Sequence, residues 1–242
     1  MILCVDIGNS RTKLGWFQLN ELIRTEVIAN DTLSKVGQDN SWYGDVALIA
    51  VSSVHDNVLY HFKGLDVPVF YMSRDAKLPF RIEYKTPDTL GFDRVLASAG
   101  ATLLHPDKNL LVIDCGTCIT YDVVVDGSYL GGAIAPGIQQ RLNSMKSHTE
   151  QLPQLFFSAE YVTIGTSTES SMHMGAGFSA CREVEGMIDH FEDKFGNLKV
   201  IITGGDAAFF EQHVKNAIFA APNLVLHGLH SIVRHNVNDI NE

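Results

Sequence analysis

The sequence contains one internal repeat of an apolar run followed by an acidic turn. Residues 2–12, ILCVDIGNSRT, align with residues 110–120, LLVIDCGTCIT, so that the apolar run, the Asp, the Gly and the final Thr coincide. A single recurrence after about 108 residues indicates two similar domains, whereas periods of about 20–50 residues would indicate a solenoid. The repeat therefore predicts a chain of two related domains.

The apolar runs and turn residues predict a mixture of strands and helices. Each copy of the repeat begins with a buried strand and returns as a second strand, which predicts a β-hairpin with a third strand near Glu21–Ile28 or at Tyr129–Ala135. A capping box, Thr166-Ser-Thr-Glu169, begins a long helix that ends near Gly196. Further helices are predicted at residues 95–104 and 138–145, and further strands at 46–51, 67–71, 198–202 and 224–226.

The segment His105-Pro-Asp-Lys-Asn109 interrupts this pattern and is the predicted domain boundary. It divides the chain into domains of residues 1–107 and 108–242. A chain of 242 residues with 45% hydrophobic residues is long enough to bury a core. This composition excludes the collagen-like and disordered classes.

Charge and apolar patterning argue against two kinds of partner. Eighteen Lys and Arg against 28 Asp and Glu give a net charge of −10, the wrong sign for a surface that binds nucleic acid by displacing counterions. No apolar run approaches the roughly 18 residues of a membrane span, and the N-terminus lacks the basic region of a signal peptide. We therefore expect a cytoplasmic protein with no nucleic-acid or membrane partner.

The two Asp-x-Gly turns predict binding of a polyphosphate. Small residues let the backbone N–H groups of such a turn point into a concavity, which suits a phosphate chain. Two facing turns would hold a nucleoside triphosphate from both sides, and Asp6 and Asp114 would organise the cations that neutralise it. The alternative is that each Asp only satisfies the amides of its own turn, which duplication of the motif disfavours.

Charged residues near these turns are candidates for binding and catalysis. Lys13 follows the first turn and would reach a phosphate as a point charge, whereas Arg11 alternates to the other face of the strand. In the segment Gly91-Phe-Asp-Arg94, Asp93 would either accept a hydroxyl proton or cap a helix. Gly204-Gly205 after a buried strand either admits a planar base or forms an ordinary turn.

Other motifs carry less weight. Cys115-Gly-Thr-Cys118 spells C-x-x-C, but no second cysteine or histidine pair accompanies it, so a redox or zinc site is disfavoured. Gly175-Ala-Gly-Phe-Ser-Ala180 matches G-x-G-x-x-A within a helical pattern, where the glycines favour close helix packing over dinucleotide binding. A Walker A sequence is absent, so phosphate binding would not use a P-loop.

An ordered set of motifs resembles the type III pantothenate kinases. The motifs are Asp6-Ile-Gly-Asn-Ser-Arg-Thr-Lys13, Gly91-Phe-Asp-Arg94, Asp114-Cys-Gly-Thr117, Gly131-Gly-Ala-Ile-Ala-Pro-Gly137 and Thr203-Gly-Gly205, and they span nearly the whole chain. Each is weak alone, but their order is specific to that family within the acetate and sugar kinase/Hsp70/actin superfamily. The resemblance implies an α/β fold of two ribonuclease-H-like (actin-like ATPase) domains, each a mixed sheet flanked by helices, with ATP in the cleft between them.

The resemblance also implies the reaction and the residues that carry it. The reaction is the ATP-dependent phosphorylation of pantothenate to 4′-phosphopantothenate, the first step of coenzyme A biosynthesis, by in-line transfer with Asp93 as general base. The ATP-binding residues it implies are Asp6, Ile7, Gly8, Asn9, Ser10, Arg11, Thr12, Lys13 and Thr117. The substrate-binding residues it implies are Tyr84, Gly91, Phe92, Asp93, Arg94 and Thr168.

Cations and a partner subunit follow from the same resemblance. It implies Mg2+ or another divalent cation held by Asp6, directly or through water, and K+ or NH4+ held by Asp114. It also implies a homodimer. The sequence departs from the family at Thr166-Ser-Thr168, where Asn commonly precedes the final Thr, and at Cys118, where Ala is common; we interpret the cysteines as small fillers.

Two alternatives to this function stay open. The ATP-binding half of the site is shared across the superfamily, so the acceptor could be another small hydroxylated compound. The family also includes proteins first described as accessory factors for transcription, which keeps a non-enzymatic role open. Intact Asp6, Asp93 and Asp114 disfavour an inactive enzyme, and the acidic net charge disfavours contact with DNA.

Overall fold

The computed structural model describes residues 1–9, 11–33, 42–53, 60–216 and 218–237. The strands are β1 Ile2–Ile7, β2 Arg11–Gln18, β3 Glu21–Ala29, β4 Leu48–Ser53, β5 Val69–Tyr71, β6 Arg81–Ile82, β7 Leu110–Cys115, β8 Cys118–Val125, β9 Ser128–Pro136, β10 Lys199–Thr203 and β11 Phe219–Ala220. The helices are α1 Phe92–Leu104, α2 Ile138–Ser147, α3 Thr168–His173, α4 Ser179–Phe195, α5 Ala207–His213 and α6 Leu224–Asn236. This mixture confirms the predicted α/β class.

The described residues divide into two compact units. Unit 1 comprises residues 1–107, residues 127–129 and the chain from Asn223 onward, and unit 2 comprises Lys108–Asp126 and Leu130–Pro222. The boundary predicted after residue 107 coincides with one junction between the units. The prediction placed residues 108–242 together in the second domain, whereas the structure groups α6 with unit 1, because α6 packs on α1.

Unit 1 is built on a five-stranded mixed sheet in the order β3-β2-β1-β4-β5. Strand β1 pairs antiparallel with β2 and parallel with β4. Because successive side chains point to opposite faces, Leu14 and Trp16 enter the core on one face, while Phe17 stacks on His230 of α6 on the other, with ring centroids 4.2 Å apart. The first acidic turn therefore connects two strands that are buried on both faces.

Helices α1 and α6 cross with their backbones in contact. A Cβ on Gly228 would overlap the main-chain oxygen of Leu96, and a Cβ on Gly100 would overlap that of Leu224. The strand predicted at 224–226 is wrong, because these residues begin α6. A short, fully buried apolar run has neither the strand period nor the helix period, so the pattern alone does not distinguish the two structures.

The second sheet has the strand order β11-β10-β7-β8-β9-β6. Strand β7 pairs antiparallel with β8 and parallel with β10. Residues Leu110–Ile113 of β7 are fully buried, as expected for a central strand. The short strand β6 pairs in parallel with the start of β9 at Ser128 and Tyr129, which belong to unit 1.

The predicted long helix in unit 2 is three consecutive helical segments. A π-helical segment, Met174–Phe178, separates α3 from α4, and Gly196 ends the run with a φ of +79°. The predicted capping box is shifted by one residue, because Ser167 is the N-cap and exchanges hydrogen bonds with Ser170. Gly177 faces the ring of Phe209 closely, which supports the helix-packing interpretation of this glycine.

Two further details of the fold bear on function. Helix α1 begins at Phe92, three residues before the predicted start, so that Asp93 lies inside its first turn. Across the described part of the chain, each helix lacks the length or the apolar character that crossing a bilayer requires.

Candidate active site

The first acidic turn connects β1 to β2 in unit 1. Asp6 lies opposite Lys13 and Ile7 lies opposite Thr12, so the four residues 8–11 form the connection. Within it the Gly8 N–H donates to the Arg11 carbonyl at 3.1 Å. Asn9 and Arg11 are exposed, whereas Ser10 lies outside the described residues. The predicted ATP-binding residues other than Ser10 and Thr117 therefore form one hairpin end.

The side chain of Asn30 fastens this turn from the end of β3. Its Nδ2 donates to the carbonyl of Gly8 at 2.9 Å and to that of Asn9 at 3.4 Å. Its Oδ1 accepts a hydrogen bond from the hydroxyl of Thr12 at 2.9 Å. Because Thr12 is fully buried, this bond satisfies a hydroxyl that would otherwise be costly to bury.

The second acidic turn connects β7 to β8 in unit 2 and is one residue shorter. Cys115 lies opposite Ile119, so only residues 116–118 form the connection, and the Gly116 N–H donates to the Cys118 carbonyl at 2.9 Å. Asp114 lies opposite Thr120. Thr117 is exposed at the tip of the turn.

Because the second turn is one residue shorter, the alignment of the two copies of the repeat shifts by one residue after the glycine. The sequence aligned Thr12 with Thr120, but the residue opposite the aspartate is Lys13 in the first turn and Thr120 in the second. Burial agrees with this register, since Thr12 and Ile119 are buried while Lys13 and Thr120 are half-buried. A shift of one residue moves a side chain to the other face of the sheet. Lys13 is therefore on the same face as Asp6. Arg11, two residues earlier on β2, shares that face, so the prediction that Arg11 takes the other face of the strand is wrong.

Three main-chain contacts fasten the second turn. The Gly137 N–H donates to the Thr117 carbonyl at 3.0 Å, and a Cβ on Gly137 would overlap the oxygen of Gly116. Gly204, with a φ of +98°, lies so close that a Cβ there would overlap Oδ1 of Asp114 and the Cys115 carbonyl. The Asp206 N–H donates to the Cys115 carbonyl at 2.9 Å.

The electrostatics of this turn argue against a redox role for its cysteines. All four cysteines are free thiols. Burial, and then the charges of Asp114 and Asp206, raise the pKa of the Cys115 thiol well above its usual value. Since the thiolate is the reactive form, Cys115 is an inert, buried filler. Burial also raises the pKa of the Asp206 carboxyl.

Asp93 occupies the second position of α1, after Gly91 as N-cap. Its Oδ1 accepts a hydrogen bond from the Arg94 N–H at 2.9 Å, and Gly91 leaves the space that this carboxylate fills. Asp93 thus satisfies one free N–H of the first turn without being the N-cap residue. The carboxylate is half-buried, so one of its oxygens is committed to the helix while the side chain still reaches the surface.

Arg94, the residue after Asp93, belongs to a group of three aromatic and charged side chains in unit 1. The guanidinium of Arg94 lies 5.8 Å from the ring centroid of Tyr84, and Tyr84 meets the fully buried ring of Tyr129 edge-on. Arg94 is itself buried, with 6% of its surface exposed. The structure therefore brings together the predicted substrate residues Tyr84, Gly91, Phe92, Asp93 and Arg94, whereas Thr168 lies exposed at the start of α3 in unit 2.

A cavity of about 270 Å³ adjoins the start of α1 in unit 1. Phe92 contributes to its wall, and the guanidinium of Arg74 lies over that ring at 4.3 Å while donating to the Asp88 carbonyl at 3.1 Å. Its remaining lining is mainly apolar: Met72, Leu78, Ile82, Pro87, Leu90 and Val95. The cavity has room for a small organic molecule, but its lining includes Phe92 and Val95 of α1 and not Asp93.

The oxygen ligands of both turns fit hard cations. Carboxylate oxygens and carbonyls are the donors that Mg2+ and monovalent cations prefer, and Mg2+ in nucleotide sites uses one or two carboxylates together with phosphates. Asp6 and Asp114 are both half-buried at their turns, and Gly204 packs directly against Oδ1 of Asp114. Among the described residues no three His, Cys, Asp or Glu side chains cluster as a metal centre.

Sequence reasoning missed Asn30 and Asp206. Asn30 lies 22 residues beyond Gly8 and belongs to no motif, so that only the pairing of β2 with β3 brings it to the turn. Asp206 follows Thr203-Gly-Gly205, a motif that the sequence did single out, and its main-chain N–H rather than its side chain makes the contact.

Solved structures identify the class of this fold. A ROK family glucokinase from Streptomyces griseus covers 97% of this chain and 99% of its own with a TM-score of 0.57 at 10% identity. A protein from Campylobacter jejuni described as a Baf family transcriptional activator covers 98% and 100% with a TM-score of 0.65 at 21% identity. These similarities confirm the two-domain fold of the actin-like ATPases and sugar kinases. The duplicated acidic turns belong to this fold, in which each turn follows a central strand of its sheet.

Sequence relatives identify the family within that class. The sequence model of the family "Type III pantothenate kinase" matches residues 2–190. A type III pantothenate kinase of Flavobacterium johnsoniae is 36% identical over 99% of this chain and 100% of its own length, and one of Flavobacterium psychrophilum is 37% identical over 97% and 99%. The chain belongs to the type III pantothenate kinases.

Membership of the family confirms the predicted reaction class. The protein is a kinase with an alcohol acceptor that phosphorylates pantothenate in coenzyme A biosynthesis. It uses ATP and a divalent cation.

Proposed function

We propose that both acidic turns bind ATP through their main-chain N–H groups. Residues 6–13 and Thr117 are the proposed contacts, with Lys13 directed to a phosphate. One observation supports this assignment. Two Asp-x-Gly turns each end a buried central strand, and hydrogen bonds from neighbouring segments fix both turns. Rigid N–H donors stabilise phosphate charge without reorganisation, which is what phosphoryl transfer requires.

Two cations complete the proposed nucleotide site. Asp6 holds Mg2+, directly or through water, and Asp114 holds K+ or NH4+. Bound cations would neutralise the charge that develops on the phosphates. The chain needs such neutralisation, because its net charge of −10 opposes binding of anionic ATP and anionic pantothenate.

Asp93 is the proposed general base. The hydroxyl oxygen of pantothenate attacks the γ-phosphorus in line, its proton passes to the carboxylate of Asp93, and the bond from the γ-phosphorus to the bridging oxygen breaks to release ADP. The hydrogen bond from the Arg94 N–H to Oδ1 fixes the carboxylate and leaves Oδ2 for the hydroxyl. The product is 4′-phosphopantothenate.

The substrate residues supply orientation and positive charge. Gly91, Phe92 and Arg94 are chain neighbours of Asp93, Tyr84 lies near Arg94, and the guanidinium of Arg94 offsets the negative charge of pantothenate. Thr168 is a further proposed contact. We also propose a homodimer, and a cytoplasmic location because ATP is supplied there.

Replacement of Asp93 by Asn tests the proposed mechanism. The amide oxygen still accepts the Arg94 N–H, so the helix keeps its first turn, but the amide no longer takes a proton. Turnover in a coupled assay of pantothenate-dependent ADP release is expected to fall by about 10²–10⁴-fold, while affinity for ATP stays nearly constant. The exposed Asp75→Asn is the matched control and keeps full turnover. Undiminished turnover of Asp93→Asn would remove Asp93 from the mechanism.

The same assay separates the remaining alternatives. Pantothenate-dependent ADP release, absent with other small hydroxylated compounds, would fix the acceptor. ADP release with a different acceptor only would replace pantothenate. No ADP release with any acceptor would favour the non-enzymatic role. The acidic net charge disfavours a form of that role that requires contact with DNA.

A further inference from the structure

We propose that Arg141 is a positioning residue for the second acidic turn. Its guanidinium joins the carboxylate of Glu183 on α4 to the main-chain carbonyl of Pro136, and thereby fixes the peptide of Gly137 that holds Thr117. This inference rests on the proposed function, in which the turn from Asp114 to Thr117 binds ATP.

The guanidinium makes two separate contacts in unit 2. Nη2 lies 2.8 Å from Oε2 of Glu183, and Nε donates to the Pro136 carbonyl at 2.9 Å. The Arg141 side chain is only 19% exposed and that of Glu183 34%, so the pair is shielded from water more than a surface ion pair. The rigid fork of an arginine suits such a double contact, because its donors have fixed directions.

Tyr121 extends this contact to the strand that follows the turn. Its hydroxyl donates to Oε1 of Glu183 at 3.3 Å, and its ring is fully buried on β8. Burial, and then the charge of Glu183, raise the pKa of the Tyr121 phenol far above its usual value, so the phenol stays a donor. Glu183 therefore accepts from both α2, whose N-cap Gly137 contacts the turn, and β8, which follows the turn, so both are tied to one carboxylate.

The path from Pro136 to the turn is short and consists of main-chain atoms. The next residue, Gly137, donates its N–H to Thr117 and lies too close to Gly116 to accept a Cβ. The N–H of Arg141 also donates to the Gly137 carbonyl at 3.0 Å, as the first bond of α2. Arg141 thus holds two consecutive carbonyls, and any shift of this peptide would be transmitted to the turn.

Arg182, which precedes Glu183 on α4, provides a matched control. Arg182 also combines one ion pair, with Glu185, and one hydrogen bond to a main-chain carbonyl, that of His213 at 2.9 Å. Its partners are Glu185 on α4, the ring of Phe178 and the carbonyl of His213, which ends α5 at the opposite end from Asp206. Arg182→Ala removes the same kinds of interaction from unit 2 and therefore reports the structural cost alone.

Calorimetric binding of the non-hydrolysable ATP analogue AMP-PNP, with Mg2+ and K+ present, tests the inference. For Arg141→Ala we expect affinity to fall about tenfold and the KM for ATP to rise by a similar factor, because a charged hydrogen-bonding partner is lost. The KM for pantothenate stays within about twofold, since the proposed pantothenate contacts other than Thr168 lie in unit 1. Arg182→Ala lowers the thermal midpoint but leaves AMP-PNP affinity unchanged.

Two further variants keep the test decisive. Glu183→Gln keeps the shape of the side chain and removes its charge, so it weakens AMP-PNP binding less than Arg141→Ala and replaces that variant if it does not fold. Asp114→Asn reports on the turn itself. If Asp114→Asn weakens AMP-PNP binding and both Arg141→Ala and Glu183→Gln bind normally, the positioning role is wrong and the ATP site stands. If Asp114→Asn also binds normally, the ATP assignment of this turn fails, and the inference fails with it.

Discussion

The two acidic turns present similar backbones but are fastened by different means. A side chain, Asn30, holds the first turn through carbonyls and the hydroxyl of Thr12. Main-chain atoms of Gly137, Gly204 and Asp206 hold the second. The first turn has one more residue in its connection, which leaves carbonyls that a neighbouring side chain can satisfy. The ATP-binding role proposed for both turns therefore does not require that the same kind of contact supports them.

This difference determines how each turn can be disrupted. A turn held by close main-chain contacts fails when a methyl group is added to a glycine, because backbone oxygens cannot move aside cheaply. A turn held by a side chain fails when hydrogen-bonding groups are removed, at the lower cost of a few bonds. The second turn should accordingly show the larger response to a single substitution.

Gly137→Ala should produce the largest effect. Its Cβ would overlap the oxygens of Gly116 and Thr117, so the turn must move, and a displacement of about 1 Å at a reacting group can cost about 100-fold. We expect kcat/KM for ATP to fall by about that factor. Gly186→Ala, on a helix with open space around the new Cβ, is the control and should keep full activity. A Gly137→Ala enzyme with normal ATP kinetics would show that the contact is not rigid.

Lys13→Thr should produce the next largest effect. It gives the first turn the residue that stands opposite the aspartate in the second turn, Thr120. Loss of a charged contact to phosphate should raise the KM for ATP about tenfold, measured in the ADP-release assay. Lys63→Thr removes the same charge from an exposed position outside the proposed ATP site and should change the KM less than about twofold. Equal effects of the two substitutions would refute the assignment of Lys13 to phosphate.

Asn30→Ala tests the side-chain support of the first turn. It leaves the buried hydroxyl of Thr12 without its partner and should lower the free energy of unfolding by about 1–2 kcal/mol, measured by urea denaturation. The KM for ATP should rise about fivefold, since the turn loosens but keeps its Gly8–Arg11 bond. The double variant Asn30→Ala/Thr12→Val removes both partners and should recover part of the stability. No recovery would mean that the cost arises elsewhere.

The sequence was sufficient to predict the paired turns but not their register or support. Apolar runs ending in Asp-x-Gly predicted β1, β7 and the strands that return from them, because burial and turn chemistry are local properties. Aligning Thr12 with Thr120 failed, because an extra residue in the connection changes which side chains oppose each other without altering the motif. Asn30 could not be found, since its role depends on a strand pairing across 22 residues.

The helix at the C-terminal end illustrates a second limit. Leu224–Leu226 is apolar throughout, and a run of that length is compatible with either a buried strand or a helix. The structure resolves the ambiguity through Gly228, which lets α6 touch the backbone of α1, and through His230, which stacks on Phe17 of β2. Both contacts are non-local. The same ambiguity hid the membership of this helix in unit 1.

We expect His230 to make unit 1 more sensitive to acid than unit 2. At neutral pH this is the smallest of the predicted effects. Burial lowers the pKa of His230 to about 4, with Arg234 and His227 adding to this shift. The unfolded chain therefore binds the proton first as the pH falls below about 6.5, and stability that is fully present above that value is lost progressively towards pH 4. As the pH is lowered to 5, the amide protons of β2, which packs on His230, should lose protection from hydrogen exchange before those of β8 do. His230→Phe keeps a ring against Phe17 and cannot titrate, so it should remove the difference; if the difference persists in that variant, another group is responsible.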